Sequence, residues 1–412
     1  MKFVINNQIV LSEEPEGPIK DYIDAFAERV TKQGYALSST SAQVRLVAFF
    51  SRWLKNRGIE LHNIKPEHVR QYLLYRLQRV KPRDGDAFTL NHLIDFLCNN
   101  NLIPVPKVSA PQLTAVETCV KKYEQYLRKD RCLAEATIIN YAPFIRCFLQ
   151  DCFNNKAVTL SRLSNRDVVQ FVQRQALRLH GKRAKIMTAA LRSFLSYALY
   201  LGDVVLDLAA AVPIVPNWSM PSIPRAISTK QVQQLLISID RSTAIGRRDF
   251  AILLLLARLG LRASEVAFLE LNDINWEAGT VRVQSKGGMH NEFPLSQEVG
   301  KSIAAYLRDG RPLSTSRRVF LRAKAPIDGF RGVSSVSCIV RHALIRADIN
   351  TPTYGAHQFR HGLATEMLRQ GASLGEIGDV LGHRHPQTTK IYTKVDIEAL
   401  RTLASPWLGD PQ

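Results

Sequence analysis

Two proline-bearing stretches decide what this chain can become. The first, IPVPKVSAPQ, holds Pro104, Pro106 and Pro111; the second, VPIVPNWSMPSIP, holds Pro213, Pro216, Pro221 and Pro224. Proline lacks a backbone N–H and fixes φ, so prolines at this spacing stop helices and keep a chain extended. Around them, most apolar residues recur at helical spacing. The 412 residues are too many for one core of ordinary size. Three segments are therefore expected: 1–108, 109–212 and 229–412, with 213–228 as a Pro-rich linker.

The first two segments read as copies. Tyr22 to Leu54 resembles Tyr123 to Phe153, and IKPEHVRQYL at 64–73 matches LSNRDVVQFV at 163–172, an offset of 99 residues. Lys65-Pro66-Glu67 and Ser164-Asn165-Arg166 read as helix starts, with Pro66 at an early helical position. Two small all-α bundles in tandem are expected.

The third segment departs from this pattern once. TVRVQSKGGMHNEFPLS (280–296) alternates Val281 and Val283 with polar residues, turns at Gly287-Gly288 and resumes at Phe293. That is the signature of a β-hairpin, with Lys286 carried at its tip. The apolar run Ala251 to Leu256 is followed by Arg258 and Arg262. It is far shorter than the ~20 residues a membrane span needs and reads as a buried helix. The fold class is therefore mainly α, with a small β-hairpin in the C-terminal domain.

Charge narrows the partner. Lys and Arg number 55 against 36 Asp and Glu, a formal net charge of +19. Residues 229–412 carry +7 of this and the remainder +12, so a polyanion can be gripped along the whole length. The N-terminal residues show no apolar core or small-residue cleavage site, so no secretory signal is read there. The six cysteines (Cys98, Cys119, Cys132, Cys147, Cys152 and Cys338) form no CxxC pair. They are expected to be reduced core thiols of a cytoplasmic protein.

Four patterns in the third segment carry chemistry: GLRASEVAFL, with Arg262 and Glu265 three apart and so on one helix face; the hairpin Lys286; HQFRH, with His357, Arg360 and His361; and LGHRHPQTTKIYTKV, with His383 and Tyr392 nine residues on. These residue types suit the breaking of a phosphodiester. Two arginines can fork onto non-bridging oxygens. A lysine can protonate a departing alkoxide, histidines can pass protons near neutral pH, and a tyrosine flanked by cations can act as nucleophile. Singly, each has an ordinary structural reading. His357 and His361, four apart, could also face a zinc ion, but no Glu follows the first His and no third ligand is indicated.

In this order and at these spacings, the segment resembles the catalytic domain of the tyrosine recombinase (phage integrase) family. The stretch LGH, TT, YT at 381–393 is similar to the bacterial Xer-type and integron-type pattern. The resemblance implies that Arg262 is the family's first arginine, Lys286 its hairpin lysine, His357 and Arg360 its His-x-x-Arg box, His383 its His/Trp position and Tyr392 its nucleophile. Phe359 stands where the family more often has Leu. The second segment resembles the family's helical, SAM-like core-binding domain. The implied function is a site-specific DNA recombinase of integrase or transposase type, working through a 3′-phosphotyrosyl intermediate with no metal, ATP or cofactor. The implied partner is double-stranded DNA held in a homo-tetramer, with or without sister recombinases. A type IB topoisomerase, a hairpin-resolving enzyme or a non-catalytic DNA-binding relative are the alternatives. The tail residues Leu400, Leu403, Trp407 and Leu408 lie at helical spacing and could dock on a neighbouring protomer or on their own domain. Ten basic residues of the second segment, Lys121, Lys122, Arg128, Lys129, Arg131, Arg174, Arg178, Lys182, Arg183 and Lys185, are candidates for phosphate contacts.

Overall fold

A computed structural model of the chain describes residues 3–5, 8–11, 14–81, 83–104, 113–154, 156–215, 226–284, 290–351, 353–383 and 385–395. Residues 107–221 form one compact unit; 1–106 together with 222–412 form another.

The first unit to be met along the chain opens with a short antiparallel pair, β1 (Phe3–Ile5) and β2 (Gln8–Leu11). Four helices follow: α1 (Ile23–Lys32), α2 (Leu37–Asn56), α3 (Pro66–Leu77) and α4 (Asp86–Asn99). The compact unit of 107–221 repeats this order with α5 (Ala115–Lys129), α6 (Glu135–Phe153), α7 (Asn165–Ala176) and α8 (Gly181–Tyr200). Each set places a 3-10 turn before its third helix, Leu61–Asn63 in one and Leu160–Arg162 in the other. Both third helices start where the sequence places them. Pro66 opens α3, where its missing N–H costs nothing, and the Ser164 hydroxyl and Asp167 carboxylate cap α7 reciprocally.

The two cores match position by position. Buried Ile19, Ile23, Phe26 and Val30 correspond to Val116, Val120, Tyr123 and Leu127 at an offset of 97. In the second helices Thr40, Val44, Val47 and Phe50 correspond to Ile138, Ala142, Ile145 and Phe148, at an offset of 98. In the third, Val69 and Tyr72 correspond to Val168 and Phe171 at 99. The pairing of Tyr22 with Tyr123 read from the sequence is thus four residues out of register at the first helix. Tyr123 is buried, whereas Tyr22 is only half-buried, and Phe26 fills the equivalent place. A slip of four residues is about one helical turn, so it leaves apolar positions on the same face and escapes a linear comparison.

The third segment is built around α10 (Ala244–Arg258), preceded by α9 (Thr229–Ile237). Ala251 to Leu256 are all fully buried, because α10 is surrounded by other elements, as an all-apolar helix requires. A short helix α11 (Ala263–Ala267) leads to a three-stranded antiparallel sheet, β3 (Ile274–Asn275), β4 (Thr280–Gln284) and β5 (His290–Pro294). Val281 pairs with Phe293, and Val281, Val283 and Phe293 face the core while Arg282 and Glu292 face outward. The predicted hairpin is therefore present, with one added strand; its tip, Lys286 included, lies outside the described residues. The remaining helices are α12 (Gln297–Asp309), α13 (Ser334–Arg346), α14 (His357–Arg369), α15 (Leu374–Val380) and α16 (Pro386–Thr389), continued by a 3-10 turn, Lys390–Val395.

One sequence expectation needs amendment. The six cysteines are all unpaired, but Cys132 and Cys338 are exposed and the other four only half-buried, so none is a fully buried core thiol. Burial still pushes the Cys119 thiol up to about 11 and Cys152 up to about 12, which keeps both protonated at neutral pH. The tail residues Leu400, Leu403, Trp407 and Leu408 lie outside the described residues. Among the described residues no helix is long and apolar enough to cross a membrane.

Candidate active site

The site begins where α10 ends. Gly260 follows with φ of +59°, a conformation that side chains with a Cβ resist. A Cβ there would sit 2.9 Å from a methyl of Leu363 and 2.9 Å from one of Leu381. This tight turn reverses the chain so that Arg262 stands at the head of α11. Arg262 is the cap residue itself and not part of the helix, which refines the expectation of two side chains on one helical face. Its backbone N–H donates to Glu265 Oε2 at 2.7 Å and its Nη1 donates to Glu265 Oε1 at 2.7 Å. The Glu265 side chain is 2% exposed and that of Arg262 24%. A buried carboxylate thus grips one edge of the guanidinium and leaves part of the fork open.

Helix α14 supplies three more groups. Phe359 is buried in the main core and anchors the helix, so the larger ring in place of Leu keeps the packing. His357, Arg360 and His361, at i, i+3 and i+4, share the face above it. Arg360 is almost fully buried, and its guanidinium donates to two backbone carbonyls. Its Nη1 donates to the carbonyl of Gly260 at 2.8 Å and its Nη2 donates to the carbonyl of Leu381. Burial, with the Arg262 charge second, lowers the Arg360 guanidinium to about 10, still protonated at neutral pH.

The last elements close the cluster. Helix α15 ends at a turn through Gly382, with φ of +60°, in which the Gly382 N–H donates to Asp379 and the His383 N–H to Gly378. The His383 ring is fixed by a 2.8 Å hydrogen bond between Nδ1 and the Thr389 hydroxyl, so one of the two threonines flagged by sequence holds the imidazole. Tyr392 lies in the 3-10 turn with its ring packed against Ala364, Ile377 and Leu381, only 1% exposed. Its phenol oxygen is 3.1 Å from His361 Nδ1. The His383 ring lies parallel to it, at 6.4 Å between centroids and 6° between planes.

Five of the six residues singled out by sequence therefore converge: Arg262, His357, Arg360, His383 and Tyr392. The sixth, Lys286, lies outside the described residues. The cluster is electrostatically unbalanced. Two guanidiniums face one carboxylate, and all three imidazoles are held below their ordinary range, each first by burial and then by neighbouring positive groups. His383 falls furthest, to about 4. Burial raises the Tyr392 phenol, while Arg360 and Arg262 pull it back. Such a cluster holds neutral imidazoles, a protonated phenol and a surplus of fixed positive charge, which is what a single anion would neutralise. His357 and His361 sit 6.4 Å apart between ring centroids. Among the described residues no group of three His, Cys, Asp or Glu could hold a metal. His361 is not in the catalytic set read from the sequence, yet the structure puts its nitrogen on the phenol. The i+4 spacing from His357 was the available signal.

Comparison with known proteins gives the family. The family model "Phage integrase family" matches residues 225–398, and "Phage integrase, N-terminal SAM-like domain" matches residues 120–200. A Sinorhizobium fredii protein designated integrase/recombinase y4rA is 55% identical over 412 residues, the whole of both chains. The tyrosine recombinase XerC of Histophilus somni is 30% identical over 291 residues, 68% of this chain and 94% of the relative. The fold is similar to that of the XerH site-specific recombinase bound to palindromic difH substrate, with TM-score 0.56 and 18% identity over 77% of this chain and 94% of that one. It is also similar to a lambda integrase dimer bound to a COC′ core site, with TM-score 0.52 and 16% identity over 67% of this chain and 94% of that one.

Proposed function

As a member of the phage integrase family of tyrosine recombinases, this chain is a site-specific DNA recombinase, and we propose that Tyr392 is its nucleophile and Arg262, Lys286, His357, Arg360 and His383 its catalytic set. The observation that carries this reading is the convergence of a buried phenol, two guanidiniums and three neutral imidazoles within one domain. The relatives' names favour recombination over topoisomerase, hairpin-resolving or non-catalytic alternatives.

The reaction is a transesterification on duplex DNA. The Tyr392 oxygen attacks a phosphorus and the P–O5′ bond breaks, giving a 3′-phosphotyrosyl link and a 5′-hydroxyl. The open edges of Arg262 and Arg360 hold the non-bridging oxygens. His383, aimed by Thr389, donates to the same phosphate once binding restores its proton. His357 assists proton movement, and Lys286 protonates the leaving oxygen. A 5′-hydroxyl from a second duplex then attacks the link. The bond energy stays in the intermediate, so the cycle needs no ATP, and the cations supply the charge stabilisation.

Exchange between two duplexes requires four cuts, which fits a homo-tetramer assembled on synapsed DNA, alone or beside sister recombinases. The helical modules serve as clamps on the duplex. Within residues 107–221, Lys182, Arg183 and Lys185 stand exposed at the start of α8, suited to phosphate contact. Arg128 and Arg174 are ion-paired to Glu135 and Asp151 and are less available. Members of mobile elements use the same strand exchange for transposition.

Nicked suicide DNA from the flanks of the gene tests the proposal. The protein should form a covalent adduct visible on a denaturing gel, and Tyr392→Phe should abolish it while DNA binding persists. An adduct that persists in Tyr392→Phe refutes the assignment.

A further inference from the structure

The phenol of a nucleophilic tyrosine must lose a proton as it attacks, and among the described residues none of the catalytic set named above is hydrogen-bonded to it, His357 included. His383 is the nearest parallel ring, but its Nδ1 is engaged by Thr389. Among the described residues no hydrogen bond joins His357 to the phenol, and its ring centroid is 6.4 Å from that of His361. Arg262 and Arg360 carry protons and cannot take another. One nitrogen does sit at the phenol: Nδ1 of His361, 3.1 Å from the Tyr392 oxygen, with the two rings edge-to-face at 5.7 Å between centroids.

We propose that His361 is a catalytic residue, the general base that takes the Tyr392 proton as the phenol attacks phosphorus. This rests on the reading of Tyr392 as nucleophile and deepens it. With the ring proton on Nε2, the phenol donates to a lone pair on Nδ1. On attack the O–H bond of Tyr392 breaks and its proton passes to Nδ1. The oxygen's electron pair forms the O–P bond, and the P–O5′ pair leaves with the 5′-oxygen, which is protonated in turn. On rejoining, the P–O bond to Tyr392 breaks and the imidazolium returns its proton to the phenolate. Nothing is oxidised or reduced, and no co-reactant is needed.

The surroundings fit the role. The titratable and charged groups acting with the ring are His357 and Arg360 on its own helix and His383 from the turn after α15. No carboxylate is among the groups acting on it. Burial, then His357, then Arg360 hold His361 below its ordinary range, so it is neutral and free to accept at pH 7. The half-buried position also limits competing proton transfer to bulk water. A purely structural histidine would gain nothing from placing its only acceptor on the one hydroxyl that reacts.

The test uses the full-length chain, single-turnover adduct formation on nicked suicide duplexes tiled across the flanks of its gene, and three variants. His361→Asn keeps a hydrogen-bond acceptor near the Nδ1 position but takes no proton. It should fold and bind DNA normally yet form adduct about 10²-fold or more slowly, the usual contribution of a general base. His361→Ala should be equally slow and recover in part with added imidazole, more as pH rises and more imidazole is neutral. The wild-type rate should fall as pH drops, through protonation of His361, and this acid limb should weaken in His361→Asn. Asn at the wild-type rate, or Ala slow with no response to imidazole, overturns the base assignment and leaves a packing role. Tyr392→Phe serves as the separate control. Adduct in that variant, or none from the wild type on any duplex, overturns the nucleophile reading itself.

Discussion

Glu265 gives the sharpest handle on how the site is held. Its carboxylate accepts two hydrogen bonds from Arg262, both at 2.7 Å, and is almost wholly buried. Glu265→Gln keeps the shape but removes the charge, and one of the two oxygens becomes an NH2 that cannot accept. A hydrogen bond to a charged group contributes about 1.5–3 kcal/mol, and loss of one partner of a buried pair costs more. Arg262 keeps a quarter of its side chain in water, so screening places the expected loss near the lower end, about 2 kcal/mol. For a domain of 150–250 residues that lowers the melting temperature by roughly 4–8 °C. The same logic fixes a second sign. Without Glu265 the two guanidiniums repel with nothing between them, and a bound DNA phosphate supplies the missing negative charge. Duplex DNA should therefore raise the melting temperature of the variant more than that of the wild type. Calorimetry with and without duplex measures both numbers. A variant that melts with the wild type, or one whose deficit widens on DNA, refutes the idea that Glu265 balances the arginine pair.

Further outcomes follow from the same geometry. Gly260→Ala must place a Cβ 2.9 Å from two leucine methyls at positive φ; strain and overpacking together should cost about 2–4 kcal/mol by chemical denaturation, and displacement of the Gly260 carbonyl from Arg360 should slow cleavage as well. The imidazoles are depressed in the folded state, so the unfolded chain binds more protons as pH falls. Stability of the DNA-free protein should thus decline on acidification below about 6.5, with the His383 share complete only near pH 4, as urea titrations at stepped pH would show. An incoming phosphate reverses the shift, so DNA binding should take up protons and tighten as pH falls; calorimetric titration in buffers of different ionisation enthalpy checks the sign, and proton release would contradict it. Lys182→Ala with Lys185→Ala should reduce the slope of log affinity against log salt by about 2, near 0.9 per lost phosphate contact, while Arg128→Ala, already paired to Glu135, should change it less.

Much of this was legible in the sequence because its signals are local. Six consecutive apolar residues, Ala251 to Leu256, can only be a helix buried on all sides or a buried strand, and the flanking arginines fit the former. Alternation at Val281, Val283 and Phe293 could only be a hairpin. The ordered Arg, His-x-x-Arg, His, Tyr set could be read through its resemblance to the tyrosine recombinase pattern, and helical spacing accounts only for His357, Arg360 and His361 sharing a face. What spacing does not fix is the partner across space. Arg262 turned out to cap α11, with Glu265 reaching back to its N–H, because Gly260 bends the chain just before it. His361 stands outside the catalytic set read from the sequence, since nothing local says that a residue 31 positions away brings its phenol to Nδ1. The register of the duplicated bundles was misplaced at Tyr22 because a slip of one helical turn preserves the apolar face.

The central claim is that one phenol, Tyr392, becomes covalently joined to DNA. Trapping the protein on suicide duplex, digesting with trypsin and sequencing the nucleotide-bearing peptide by mass spectrometry tests it at the level of a single atom. The account predicts the nucleotide on the Ile391 to Lys394 peptide, at Tyr392. A nucleotide on any other peptide, or a trapped chain whose link is to a serine, contradicts it.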